Sequence, residues 1–202
     1  MGTRREALVA AAMHLFAERG YDGTSVADIQ IAAGLTGGSG ALYKHFTSKD
    51  AVLEAGVDAY LESLAENSST TVRELPLDPR EALQVIASSV IESMTADESI
   101  LRVCLRDLDH HPELVERLWS GVLASVYTEL ADWIRRQMAT GVTSVSDPDA
   151  VATVLMSALT QWPILHTLIK KTPGDFTRAA FVAAWVDTAA RALHISPRPL
   201  GA

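Results

Sequence analysis

A single cysteine, Cys104, stands among 202 residues. No disulfide can form within the chain, and a reducing compartment such as the cytosol fits best. Aromatic residues make up 6% of the chain. No stretch of convincing length alternates apolar and polar residues, so β-architectures find no support. No apolar run is read as long enough to cross a membrane, and the N-terminus leads straight into a charged helical pattern instead of a signal peptide. No membrane partner is therefore expected. Basic charge is scarce too: 17 Lys/Arg face 25 Asp/Glu, a net charge of −8. That balance argues against nucleic-acid binding over the whole surface. HExxH, P-loop, strand-borne GxGxxG and GxSxG patterns are all missing. Six histidines and one cysteine form no catalytic constellation. No catalytic residue, cofactor or metal is expected.

What the chain does have is apolar residues at helical spacing, 48% hydrophobic overall, with helix punctuation between them. Thr3–Glu6 forms a capping box before Leu8, Ala12, Leu15 and Phe16, and Gly20 closes that helix. Later helices are read at about 48–67, 79–94, one capped by Thr95–Glu98 and running through Leu108, 112–138, 148 onward through Trp162, and one carrying Phe181 through Leu193, with a polar loop from Asn67 to Pro79 and a chain break over Thr172–Asp175. Asp78-Pro79 and Asp147-Pro148 each pair an N-cap with an N1 proline. Pro163 should kink the helix it sits in. The charge is uneven: residues 1–50 hold five basic and five acidic side chains, so the remainder carries the whole −8.

The organising stretch is Thr24–Asp50. Ser25–Asp28 is a capping box, Val26, Ile29 and Ala33 recur at helical spacing, and Gly34 supplies the left-handed residue of a sharp turn that Leu35 plugs. A second short helix is read over about Gly40–Phe46, and Thr47–Asp50 caps a third. Two short helices across a glycine turn make a helix-turn-helix. Thr36-Gly37-Gly38-Ser39-Gly40 offers amides and hydroxyls, and Tyr43, Lys44, His45 and Lys49 offer a phenol, an imidazole and ammonium groups. Such groups are the usual donors to DNA phosphates. Arg4 and Arg5 would either reach a phosphate or remain solvated.

Thr24-Ser25-Val26, Ala33-Gly34-Leu35-Thr36, Leu42-Tyr43-x-His45-Phe46 and Ser48-Lys49-Asp50 resemble the DNA-binding signature of the TetR family of bacterial transcriptional regulators. The resemblance covers about the first quarter of the chain. It implies an all-α homodimer that binds a near-palindromic double-stranded DNA operator and releases it on binding a small-molecule effector. It also implies that Thr24 or Ser25, Thr36, Tyr43, His45 and Lys49 occupy DNA-contacting positions. Two features depart from the family pattern. Gly37 to Ala41 makes the turn two residues longer, so the reading helix would start either at Thr36 or near Ser39. Gln30 stands where the family usually has alanine; it would be exposed or would touch the DNA backbone.

These readings give an all-α fold of about nine helices: a helix-turn-helix domain over 1–50, and an effector-binding and dimerisation domain over 51–202. Effector-pocket candidates are Met94, Cys104, Leu108, Trp119, Tyr127, Met156, Trp162 and His166; for each, core packing is the competing role. Few charged residues fall on inward faces, so the effector is expected to be mostly apolar. The last two helices are apolar over wide faces, which suggests pairing with a second copy through Val151, Leu155, Leu159, Phe181, Trp185 and Ala189. His110-His111 with Asp109 and Glu113 is read as a helix end, not a metal site, because adjacent helical side chains diverge by about 100°. The leading function is a ligand-responsive repressor. The alternatives are a helical small-molecule-binding protein or enzyme whose helix-turn-helix is not functional, and a DNA-binding protein whose body recognises another protein.

Overall fold

Each end of the first helix is set by its own residues. In the computed structural model, which describes residues 3–96, 98–107, 111–171 and 174–195 without the side chains of 67–73, 122 and 123, α1 runs Arg4–Arg19. The Glu6 N–H donates to the Thr3 hydroxyl and the Thr3 N–H to the Glu6 carboxylate, at 3.3 and 2.9 Å. Gly20, at φ 88°, ends the helix. Leu108, Asp109, His110, the Thr172-Pro173 break and the 196–202 tail lie outside the described residues.

The chain forms two compact units, Met1–Leu64 with Asp97–Gly121, and Ala65–Ala96 with Val122–Ala202. This division differs from a single boundary after residue 50. The first unit contains α1, α2 (Val26–Ala32), a 3-10 turn at Leu42–Lys44, the first part of α3 (Lys49–Arg73), α5 (Glu98–Arg106) and α6 (Pro112–Leu118). Its core gathers Leu8, Phe16, Ile29, Leu42, Leu53 and Val57 with Val103 and Leu114. Two segments from beyond residue 95 thus complete the hydrophobic centre of the N-terminal motif. At Gly56 a side chain would lie 2.4 Å from Met13 Sδ, so the buried Met13 side chain of α1 fills the space that glycine leaves on α3. The Arg106 guanidinium donates to the carbonyls of Phe16 and Ala17 at the end of α1; that of Ala17 is among the acceptors a helix C-terminus leaves open, while that of Phe16 also takes the Gly20 N–H.

The second unit packs α4 (Pro79–Ala96), α7 (Ala124–Ala139), α8 (Pro148–Ile169) and α9 (Arg178–Ala192), with α8 contacting the other three. Its core includes Leu83, Ile86, Ile91, Trp133, Ile134, Leu155, Met156, Leu159, Trp185 and Ala189. Asp78, Asp147 and Thr177 cap α4, α8 and α9 through backbone N–H groups two or three residues on. The Trp185 indole N–H donates to Leu155 O at 2.9 Å, so even the polar atom of this core aromatic is satisfied.

The all-α reading holds among the described residues, and several local expectations change. The polar stretch from 67 to 73 is the end of α3, not a loop. Thr95 does not cap α5: it lies in α4, and its hydroxyl donates to Ile91 O at 2.8 Å. The helix expected over 112–138 is interrupted by a π-helical stretch, Trp119–Leu123, between α6 and α7. The Ser48 hydroxyl, not that of Thr47, takes the Ala51 N–H at the start of α3. Among the described residues one helix, α8, is after all long and apolar enough by length and composition to cross a bilayer, with mean hydropathy 1.2. Its buried residues pack within the second unit, so its apolarity already serves a helix-packing role.

Candidate nucleic-acid interface

The capping box at the start of α2 forms as the sequence requires. Ser25 Oγ accepts from Asp28 N at 3.2 Å, and the Asp28 carboxylate accepts from Ser25 N at 3.0 Å. Hydrogen bonds from Ser25, the side-chain one first, hold the Asp28 carboxyl below the usual carboxylate range. At the other end Gly34 sits at φ 74°, with Gly34 N–H on Ile31 O at 3.0 Å and Leu35 N–H on Gln30 O at 2.8 Å. This is a Schellman closure.

No second α-helix follows. Between Ala32 and Lys49 the only regular element is the 3-10 turn Leu42–Lys44, where a helix over Gly40–Phe46 was expected. Gly38 and Gly40 lie at φ 72° and 68°, and a right-handed helix cannot run through such residues. Thr36, Gly37, Gly38 and Ser39 form an exposed loop, with Gly40 partly covered. The 3-10 turn is nailed down on one side by Leu42 and Phe46, both buried in the unit's core. Tyr43, Lys44 and His45 therefore face outward as a consecutive run, with Tyr43 60% exposed.

The remaining candidates divide. Ser25 is exposed. Thr24 is not a surface group: it is 1% exposed, and its hydroxyl donates to Gly20 O at 2.9 Å. Lys49 is half-buried. Its ammonium donates to Tyr21 O at 2.8 Å and Thr24 O at 3.0 Å and lies 4.0 Å from the centre of the Tyr21 ring. The Tyr21 hydroxyl donates to Asp50. Burial first, and then this bond, push the phenol above its ordinary range, so it remains a donor. The Arg5 guanidinium lies 4.8 Å over the Phe46 ring, a third outcome beside phosphate contact and free solvation. Gln30 is neither exposed nor at the surface. It is fully buried, and its side-chain carbonyl accepts from Gly38 N at 3.0 Å. Its departure from the family's usual alanine marks it in the sequence, but its burial and its hold on Gly38 do not follow from that signal.

Of the effector candidates, Met94, Tyr127, Met156, Trp162 and His166 belong to the second unit, and Cys104 and Trp119 to the first; Leu108 is outside the described residues. Met156 is core, and Trp119 is 53% exposed on the π-helical stretch. Trp162 stacks on His166 at 5.6 Å and on Phe181 at 6.0 Å between ring centres. Its indole N–H is buried with no hydrogen-bond acceptor. His111 packs edge-on against Tyr21 at 5.2 Å, beside a cleft of about 220 Å³ that Tyr21, Asp22 and Asp107 also line. No group of three metal-binding side chains forms among the described residues.

The proposed pairing surface needs the largest correction. Leu155, Leu159, Trp185 and Ala189 are all buried in the protomer's own core, and Val151 and Phe181 pack against it. Those six positions form the inward stripe. The outward stripe of α8 carries Val154, Ser157, Ala158 and Gln161, and that of α9 carries Ala180, Ala183 and Ala184.

Residues 8–55 match the family model for bacterial regulatory proteins of the tetR family, and residues 81–193 match that of the AefR-like transcriptional repressor C-terminal domain. The chain is 26% identical over 204 residues to the HTH-type transcriptional regulator TtgR of Pseudomonas putida, covering 96% of this chain and 92% of that one. It is 34% identical to the HTH-type transcriptional repressor KstR2 of Rhodococcus jostii over 107 residues, 53% of this chain and 51% of the relative, so that match spans about half of the relative's length. Its fold is shared with the TetR family transcriptional regulator PfmR of Thermus thermophilus, at TM-score 0.73 and 23% identity over 95% of this chain and 99% of that one. It is shared also with AibR, solved in complex with isovaleryl coenzyme A and operator DNA, at TM-score 0.69 and 20% identity over 92% and 97%. With the motif, the fold and a model match over more than half the chain in agreement, this protein belongs to the TetR family of bacterial transcriptional regulators.

Proposed function

We propose that this chain is an effector-responsive repressor that acts in the cytoplasm as a homodimer on a near-palindromic operator. The observation that carries the reading is the exposed run Tyr43-Lys44-His45, held outward by Leu42 and Phe46 beneath it and flanked by the amides and hydroxyls of Thr36–Gly40. Ser25, Thr36, Ser39, Tyr43, Lys44 and His45 are the DNA-facing groups in this reading. Lys49 contributes at most its remaining N–H, since two carbonyls hold the ammonium. The dimer pairs through the outward stripes of α8 and α9, where alanine and serine let helices approach closely, in a four-helix arrangement.

The effector is a small, mostly apolar molecule held in the second unit near Trp162. The support is a buried indole N–H that lacks an acceptor, beside stacked rings that favour flat apolar groups. Effector binding acts through its differential affinity for DNA-competent and incompetent states. α3, whose residues belong to both units, is the continuous element through which the bias passes. Dimer heads must match half-sites about 34 Å apart.

The test is an anisotropy or gel-shift titration on DNA from upstream of the protein's own and neighbouring coding regions, in a salt series. A fragment bound in preference to unrelated DNA supports the reading. Lys44→Ala should then weaken all fragments alike and lower the salt slope by about one unit. Only salt-sensitive binding without preference would overturn it and favour a small-molecule-binding body with an inactive head.

A further inference from the structure

We infer that Gln30 is the positioning residue of the DNA-reading loop, and that this protein presents a pinned glycine loop where a helix-turn-helix motif calls for the start of its second helix. The inference rests on the operator reading above.

The loop is intrinsically under-determined. Thr36 to Gly40 contains three glycines, two of them at positive φ, and glycine loses more conformational freedom on ordering than any other residue. Its internal support is slight: the Ser39 N–H reaches Thr36 O at 3.3 Å. A flexible reading loop would be ordered only on contact with DNA, and that ordering would be subtracted from affinity and from discrimination between sequences.

Gln30 removes that freedom from a fixed base. It lies in the last turn of α2, beside the fully buried Ile29. Its backbone carbonyl takes the Leu35 N–H at 2.8 Å, closing the helix, and its side-chain carbonyl takes the Gly38 N–H at 3.0 Å, at the centre of the longer turn. Gly37 lies against α2 beside it: a side chain there would meet Ile31 Cδ1 at 3.0 Å. One residue thus grips the chain five and eight positions downstream. The two extra residues of the turn become a fixed protrusion from which Thr36 and Ser39 project.

The unused half of the amide strengthens the argument. Gln30 Nε2 is buried with no partner, and burying an unpaired donor is unfavourable. Packing alone would be served better by methionine, of similar length and with no donor to orphan. The amide is accounted for by what its oxygen holds.

The experiment compares full-length wild type with Gln30→Met in three measurements: hydrogen exchange of the Gly38 amide, affinity for the preferred fragment and for unrelated DNA across a salt series, and thermal melting. In wild type the Gly38 amide should be protected although the residue is exposed. Exchange at the random-coil rate would overturn the inference without any variant, and so covers a variant that does not fold. In Gln30→Met the protection should be lost. Preferred-fragment affinity should fall about five- to tenfold, the scale of one hydrogen bond. Binding to unrelated DNA and the salt slope should stay close to wild type, with the melt reporting that the variant is folded; a residue that only filled the core would leave both the Gly38 protection and discrimination intact. Discrimination retained in folded Gln30→Met overturns this inference alone. Wild type that prefers no fragment overturns the operator reading and this inference with it.

Discussion

Lys49 shows what a single side chain can conceal in a sequence. In the string Ser48-Lys49-Asp50 it reads as an exposed cation near the start of a helix, available to a phosphate. In the fold it caps carbonyls of the turn between α1 and α2 and lies against Tyr21. Lys49→Ala should therefore lower stability by about 2 kcal/mol, the scale of charge-assisted bonds to the backbone, as read by urea denaturation. Unchanged stability with lost DNA binding would restore the phosphate role. Asp28 gives a pH-dependent counterpart. Its folded-state pKa is depressed by Ser25, so its contribution is present above the unfolded carboxylate value and is lost as pH falls through the folded one. Protection of the Ser25 amide should disappear in acid, below about pH 4, and Asp28→Asn should abolish that dependence in the same window. Both capping boxes, at Thr3–Glu6 and Ser25–Asp28, were legible in the sequence because each closes within three residues. The bond of Thr24 to Gly20 and the grip of Gln30 on Gly38 were not, because each depends on the path the backbone takes through a glycine-containing turn.

At the scale of the element, local signals set most helix starts and some stops. Gly20, Gly34, Asp78-Pro79 and Asp147-Pro148 all act where they stand. The failures have two causes. One is an over-read cap: Thr95 resembles an N-cap by type, yet a threonine can also bond one turn back inside a helix, as it does here to Ile91. The other is the period of the apolar stripe. Leu155 and Leu159 repeat at helical spacing on α8 just as an interface would, and they are the protomer's own core. The two faces should separate on substitution. Leu159→Ala, at a site with 0% exposure, should cost about 2–5 kcal/mol by leaving a cavity, read as a lowered melting temperature. Val154→Asp, at a site 68% exposed, should leave the protomer folded, with the consequence appearing only in assembly.

At the scale of the whole molecule, that consequence is a change of size and of DNA binding. Sedimentation should show wild type as a dimer and Val154→Asp as a monomer. The monomer should bind a single half-site at best, so its affinity for the full operator should fall steeply while its circular dichroism stays helical. A Val154→Asp protein that remains dimeric would place the pairing surface away from the outward stripe of α8. The neutral N-terminal fifty residues and the strongly acidic remainder fit this division of labour, in which one part meets phosphates and the rest is repelled from them.

The sequence by itself determined the helical class, the positions of most caps and the regulator motif, because each is encoded by residues within a few positions of one another. Tertiary structure alone decided which donors remain free for DNA, that Val103 and Leu114 complete the core of the N-terminal motif, and which stripe of α8 and α9 is left outward. Those outcomes depend on contacts between segments dozens of residues apart, where helical periodicity marks an apolar face without naming what covers it.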